Sequence, residues 1–267
     1  MPVARMAASC TRSGPGRKGS RLAEDRSVLS RGAAPPDHSV AYGADPAQIM
    51  EVRVGREPAS QRPLVVLIHG GFWRPDIDRV HLRVMAEALA AAGWTSVLPE
   101  YARVARDPAP TLADLTLLLG QAAAKVAHHN GKVILVGHSA GGHLALWAAA
   151  TGICPQLAGT LALAPAADLL LAHELRLGNG AVSRFLGADP VSRPDLDPRQ
   201  MAAPVTAATI VHGVDDETVP LIVSESYVAA HPQVRLRTLP GAGHFEVIDP
   251  LAPAWATVIA ELSRLSE

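Results

Sequence analysis

Short aliphatic runs and longer stretches of helix formers alternate along most of this chain. Leu64 to His69 (LVVLIH) is a continuous apolar run ended by Gly70-Gly71, the pattern of a buried strand. Val80 to Ala92 is rich in Ala and Leu and stops at Gly93, which predicts a helix. Thr95 to Leu98 predicts the next strand, and Pro110-Thr111 opens a second helix running toward His128. Lys132 to Val136 (KVILV) predicts another buried strand, and Ala140 to Ala150 a helix. Further strands are predicted at Thr160 to Leu163, Thr209 to His212 and Val234 to Leu239, and a last helix from about Pro253 to Leu265.

Strands that read as unbroken aliphatic runs are covered on both faces, and helices between them make them parallel. The expected fold class is therefore α/β, with a mostly parallel, doubly wound sheet flanked by helices. In such sheets a ligand binds beyond the carboxyl ends of the strands. Residues 165–200 break the alternation, with a Gly178-Asn179-Gly180 interruption and a connector rich in Pro and Asp. A stretch of this length in a compact domain predicts a small cap insertion over the crevice.

Composition narrows the classes. The 267 residues suit one large domain, and a hydrophobic share of 48% with 18% charged residues is ordinary for a filled core. A net charge of -1 argues against nucleic acid and anionic membrane partners. The longest apolar runs are far too short to span a bilayer. Two cysteines, Cys10 and Cys154, imply no disulfide framework and make a cytoplasmic location the expectation. Met1 to about Asp37 carries Arg5, Arg12, Arg17, Lys18, Arg21, Arg26 and Arg31 among Gly, Ser, Ala and Pro. It is expected to be a disordered extension (residues 1–37), with the folded domain over 38–267. Glu24 and Asp25 count against an Arg-rich targeting peptide.

Every segment with chemical promise follows a predicted strand. Gly137-His138-Ser139-Ala140-Gly141 fits G-x-S-x-G between the strand KVILV and a helix, the strand–turn–helix setting of a nucleophile elbow. The flanking glycines permit a tight turn, and the helix start adds partial positive charge where an oxyanion would form. His69-Gly70-Gly71-Phe72-Trp73 follows LVVLI, so the amides of Gly71 and Phe72, with that of Ala140, are candidates for an oxyanion hole. Phe72 and Trp73 concentrate aromatic area in a chain that is only 4% aromatic, and with His138 they are candidate substrate contacts. HGVDDETVP offers Asp215 and Asp216 at one strand end, and GAGHF offers His244 at another. The order Ser, Asp, His is that of α/β-hydrolases.

Taken together, HGGFW, GHSAGGHLALW, HGVDDETVP and GAGHFE resemble the esterase and kynurenine-formamidase-like (BD-FAE-like) branch of the α/β-hydrolases. The resemblance covers about residues 40 to 265, including Tyr42-Gly43 and Pro99-Glu100-Tyr101. Its pattern G-x-x-D-x-x-V-P implies that Asp216 is the acid, with Asp215 as runner-up. It also implies an HGG loop carrying oxyanion amides, with His69 structural. Formamidases of this branch usually have Tyr where Phe72 stands, so ester and amide substrates both stay open. A serine hydrolase acting on a small-molecule ester or amide needs no metal or organic cofactor, and nothing in the sequence speaks against a homodimer.

The remaining candidates have plainer readings. His138, His143 and the pair His128-His129 lack carboxylate or Cys partners at metal-ligand spacing. His128-His129 is expected to sit as favourable charge near a helix C-terminus, and Trp147 in the core. Arg74 is either a substrate-carboxylate contact or a solvated side chain. Ser139 argues against dehalogenases and epoxide hydrolases, which need Asp at the elbow, and against dienelactone hydrolases, which use Cys. A peptidase would need a larger gating domain. A hydrolase-fold binding protein is the non-enzyme alternative.

Overall fold

Eight strands form one sheet in the computed structural model, which describes residues 24–267. In chain order they are β1 (His38–Ala41), β2 (Ile49–Arg53), β3 (Leu64–Ile68), β4 (Ser96–Pro99), β5 (Val133–His138), β6 (Leu157–Leu163), β7 (Ala207–Gly213) and β8 (Arg235–Leu239). The spatial order is β1-β2-β4-β3-β5-β6-β7-β8. From β4 to β8 every neighbour is parallel, while β1 and β2 join antiparallel at one edge. The helices are α1 (Arg83–Ala91), α2 (Ala109–Leu119), α3 (Ala122–Lys125), α4 (Ala140–Thr151), α5 (Leu169–Glu174), α6 (Leu177–Leu186), α7 (Ile222–Ala230) and α8 (Ala254–Leu265).

The core lies on both faces of the sheet, as unbroken aliphatic strands require. In β3, Leu64, Val66 and Ile68 pack with α2 and α4, whereas Val65 and Leu67 pack with α1 and α8. α4 is buried from Ala140 to Ala149, which is why it reads as apolar all round rather than amphipathic.

Several predicted elements differ in detail. The helix expected over Val80 to Ala92 is a 3₁₀ turn (Arg79–Leu82) followed by α1, and the one expected to reach His128 breaks at Gly120 into α2 and α3. The His129 ring bonds the carbonyls of Ala123 and Val126 at the end of α3. The hairpin of β1 and β2 and the helix α7 were not expected. β1 is almost wholly exposed and lacks an apolar run. β8 is an edge strand, partly exposed along its length, so the expectation of burial on both faces fails there.

Two further findings concern irregular segments. The tail before Glu24 lies outside the described residues, but residues 24–37 are not the disordered chain expected. Val28 is 2% exposed in the core, Arg31 pairs with Asp249, and the Asp37 carboxylate accepts the Val54 N–H at 2.7 Å. Point contacts anchor a segment whose composition offers no periodic apolar face. The insertion 165–200 is ordered throughout: α5, α6 and 3₁₀ turns starting at Pro190, Pro194 and Pro198. The first turn of α6 is left-handed at Gly178, Asn179 and Gly180.

Candidate active site

Ser139 sits between β5 and α4 with φ 57° and ψ -119°. A non-glycine residue there carries strain, held by its neighbours. The Ser139 N–H donates to the Leu163 carbonyl at 2.9 Å, and its own carbonyl accepts the N–H of Ala166 at 3.2 Å. The flanking glycines are required by close approach. A Cβ on Gly137 would lie 2.1 Å from the Gly141 carbonyl oxygen, and one on Gly141 would lie 2.0 Å from that of Ile68.

The loops after β7 and β8 bring Asp216 and His244 together. His244 Nδ1 donates to Asp216 Oδ2 at 2.7 Å. Both residues are buried. Asp216, not Asp215, makes this contact. Its other oxygen accepts the N–H groups of Thr218 at 2.9 Å and Val219 at 2.7 Å. Burial works against the Asp216 charge, but hydrogen bonds from His212 and His244 outweigh it and hold the carboxyl below the usual carboxylate range.

His212, Ser224 and Thr218 were not singled out in the sequence. His212 Nε2 lies 2.8 Å from the Val219 carbonyl and 3.2 Å from Asp216 Oδ2. A carbonyl only accepts, so Nε2 carries the proton and the Ser224 hydroxyl donates to Nδ1 at 2.7 Å. The ring therefore contacts the same carboxylate oxygen, Asp216 Oδ2, that His244 holds. The His-Gly pair that opens HGVDD was the available signal.

His138 lines the cavity beside Ser139. Its Nε2 donates to the His244 carbonyl at 3.0 Å, and the two rings lie 4.6 Å apart. Burial, reinforced by His244, holds His138 well below the usual imidazole range. It stays neutral and holds the backbone of His244.

The HGGFW loop is strained in sequence. Gly71, Phe72 and Trp73 all have positive φ, at 112°, 54° and 54°. The loop is fastened at its root, where the Tyr101 hydroxyl donates to the His69 carbonyl at 2.7 Å and the His69 ring stacks on Tyr101 at 4.4 Å. With the start of α4, it borders a cavity of about 460 Å³ shared by Gly71, Phe72, His138, Ser139 and His244. Trp73 is the exception among the expected substrate contacts. It is 5% exposed and stacks on Phe185 of α6 at 4.8 Å, with His143 edge-on at 5.2 Å. Its role is to anchor the loop from behind, because its ring is spent on that cluster. His143 is itself pushed down to about 4 by burial and bonds the Leu196 carbonyl at 2.8 Å.

The insertion 165–200 likewise lies behind the loop: among the described residues none of it lines this cavity. Arg74 does line it, but its guanidinium is held by Asp76 at 3.0 and 2.7 Å. Trp147 is buried as expected. Cys154 is a buried free thiol, pushed up to about 11 by burial. Among the described residues no His, Cys, Asp and Glu cluster could hold a metal ion, and no helix is long and apolar enough to cross a membrane.

A mostly parallel sheet with a strained serine turn and a His–Asp pair beyond its strand ends is the α/β-hydrolase fold, and this chain has it. The sequence model of the BD-FAE family matches residues 50–168, just under half of the chain. Over 263 aligned residues the chain is 27% identical to esterase LipC of Mycobacterium tuberculosis, covering 84% of this chain and 65% of that protein. It is 28% identical over 152 residues to the kynurenine formamidase of Salmo salar, covering 53% of this chain and 49% of that one. The chain therefore spans less than two thirds of either relative. Among solved structures it resembles Lactobacillus rhamnosis esterase B inhibited by a tributyrin phosphonate, with a TM-score of 0.70 at 21% identity over 87% of each chain.

Proposed function

We propose that this protein is a serine esterase that cleaves carboxylic esters of small acyl groups. The observation that carries the reading is the 2.7 Å contact of His244 Nδ1 with Asp216, on a cavity that also contains the strained Ser139. In the first step His244 Nε2 takes the Ser139 proton while Oγ attacks the ester carbonyl. The amides of Gly71, Phe72 and Ala140 hold the resulting oxyanion, and Asp216 stabilises the imidazolium. His244 then gives the proton to the departing alcohol. Water, deprotonated by His244, attacks the acyl-enzyme and releases the acid. The carboxylate needs no proton in this cycle, which agrees with the hydrogen bonds that keep Asp216 ionised.

The kynurenine formamidase relative favours a second reading, hydrolysis of an N-formyl aryl amide. The esterase LipC match over 84% of the chain and the absent hydroxyl at Phe72 favour the ester. Rates on p-nitrophenyl acetate, butyrate and laurate, with N-formylkynurenine in parallel, separate the two. The expected result is turnover of the short esters. Ser139→Ala is expected to lower kcat by at least about 10⁴, and Asp216→Asn by a similar factor through the wrong imidazole tautomer. A much better rate on N-formylkynurenine would move the assignment to the amide. Failure of a fluorophosphonate to label Ser139 in folded protein would leave the binding-protein reading.

A further inference from the structure

Part of the cavity wall comes from the N-terminal segment. Arg26 and Leu29 line the same space as Ser139 and His244. The segment is pinned there by Glu24, whose side chain is 9% exposed. One Glu24 oxygen accepts the backbone N–H of His244 at 2.7 Å, and the other accepts the Thr218 hydroxyl at 2.8 Å. A single carboxylate thus ties the loop of the base to the loop of the acid. The fit is close, since a Cβ on Gly243 would lie 3.1 Å from Glu24 Oε1.

Among the described residues, Arg26 is the cavity cation with donors to spare. Its guanidinium lies over the Phe245 ring at 5.0 Å, and the side chain is 63% exposed. The nearest Glu24 oxygen is 3.9 Å away and already accepts from Thr218. Arg74, the other cation of the lining, is held at two nitrogens by Asp76, and the Asp78 carboxylate accepts the Val80 N–H. A planar guanidinium resting on an aromatic face keeps its edge free for a carboxylate.

Resting on the esterase reading, we infer that residues 24–29 are a working wall of the active site. In it Glu24 is a positioning residue for the His244 and Asp216 loops, and Arg26 selects substrates that carry a carboxylate near the scissile ester. The sequence offered Arg74 for that contact, and the geometry transfers it to Arg26.

The test uses the full chain and two matched ester pairs. 4-Acetoxybenzoate against phenyl acetate puts the carboxylate on the leaving group, and mono(4-nitrophenyl) adipate against 4-nitrophenyl hexanoate puts it on the acyl group. In at least one pair, Arg26→Gln is expected to lower the anionic-to-neutral ratio of kcat/KM about 5- to 10-fold, through KM, with Arg26→Lys recovering part of it. Glu24→Ala is expected to lower kcat per fluorophosphonate-titrated serine about 10-fold or more on all four esters, as a displaced base would. Glu24→Gln, which keeps an acceptor for the His244 N–H, recovers part of that loss. A residue that only supports the fold would reduce the titrated fraction and leave kcat per serine unchanged, which overturns the role of Glu24. Ratios that stay within about twofold in both pairs overturn the role of Arg26. Wild type that hydrolyses none of the four esters overturns the esterase reading itself, and this inference with it.

Discussion

The insertion 165–200 and the segment 24–37 make an instructive pair, because each does the work that composition assigns to the other. The insertion is long, interrupted by glycines and placed after β6, which are the marks of a lid. It packs instead behind the HGGFW loop: Phe185 stacks on Trp73, and Gly178 presses on the ring of Phe72. The segment 24–37 is short of apolar residues and follows an Arg-rich tail, yet it supplies Arg26 and Leu29 to the cavity. Irregular chain ends up lining a site when polar contacts dock it at the strand ends. Length and flexibility of sequence do not decide the matter.

The largest effect that separates the two regions is expected on stability. Phe185→Ala removes a ring that is 3% exposed and touches both Trp73 and His143. It should cost about 3–5 kcal/mol in denaturant unfolding, and the freed HGGFW loop should lower kcat as well. Arg26→Gln, by contrast, should leave the unfolding midpoint close to wild type, because an exposed charge contributes little. If both variants unfold alike, the insertion is not the structural half of the pair.

A smaller effect is expected where the insertion comes nearest to the site. Gly178 has φ 54°, and a Cβ there would lie 2.7 Å from the Phe72 ring. Gly178→Ala should cost about 1–3 kcal/mol from left-handed backbone and crowding together. Since Phe72 borders the cavity, kcat/KM should fall on every ester without a change in the ratio of anionic to neutral substrates. A shift in that ratio would mean that the insertion reaches the substrate after all.

Much of this was legible in the chain, and the reasons for the rest are physical. The central strands could be read because burial on both faces leaves unbroken runs such as LVVLI and KVILV. The tight turn around Ser139 was legible because close backbone approach demands glycine at Gly137 and Gly141. The antiparallel β1 and β2 were not, since an exposed edge strand needs no apolar pattern. Trp73 could not be told from its neighbour Phe72 in sequence, and only the folded loop sends one residue to the cavity and the other to the core. Glu24 had no local signal, as its partners Thr218 and His244 lie about two hundred positions away.

The smallest expected effect concerns how the N-terminal segment is held, and it depends on pH. Arg31 grips both oxygens of Asp249. Those hydrogen bonds hold the Asp249 carboxyl below its usual range. A carboxyl depressed in the folded state stabilises that state above its unfolded pKa of about 3.9, and the contribution is lost as pH falls through the folded value. Asp249→Asn should therefore loosen residues 24–37 at pH 7, seen as faster amide exchange by mass spectrometry, with residues 165–200 unchanged. The drop in Tm should not exceed about 2 °C, as for other partly exposed pairs. As pH falls further, through the depressed folded value of Asp249, the wild type loses its own pair by protonation, and the two proteins should converge. A difference that persists undiminished at low pH would mean that Val28 and Glu24 carry the docking and the Arg31 pair does not. Uniform exchange across both regions would mean that segment and insertion loosen as one unit, and the distinction between them would fail.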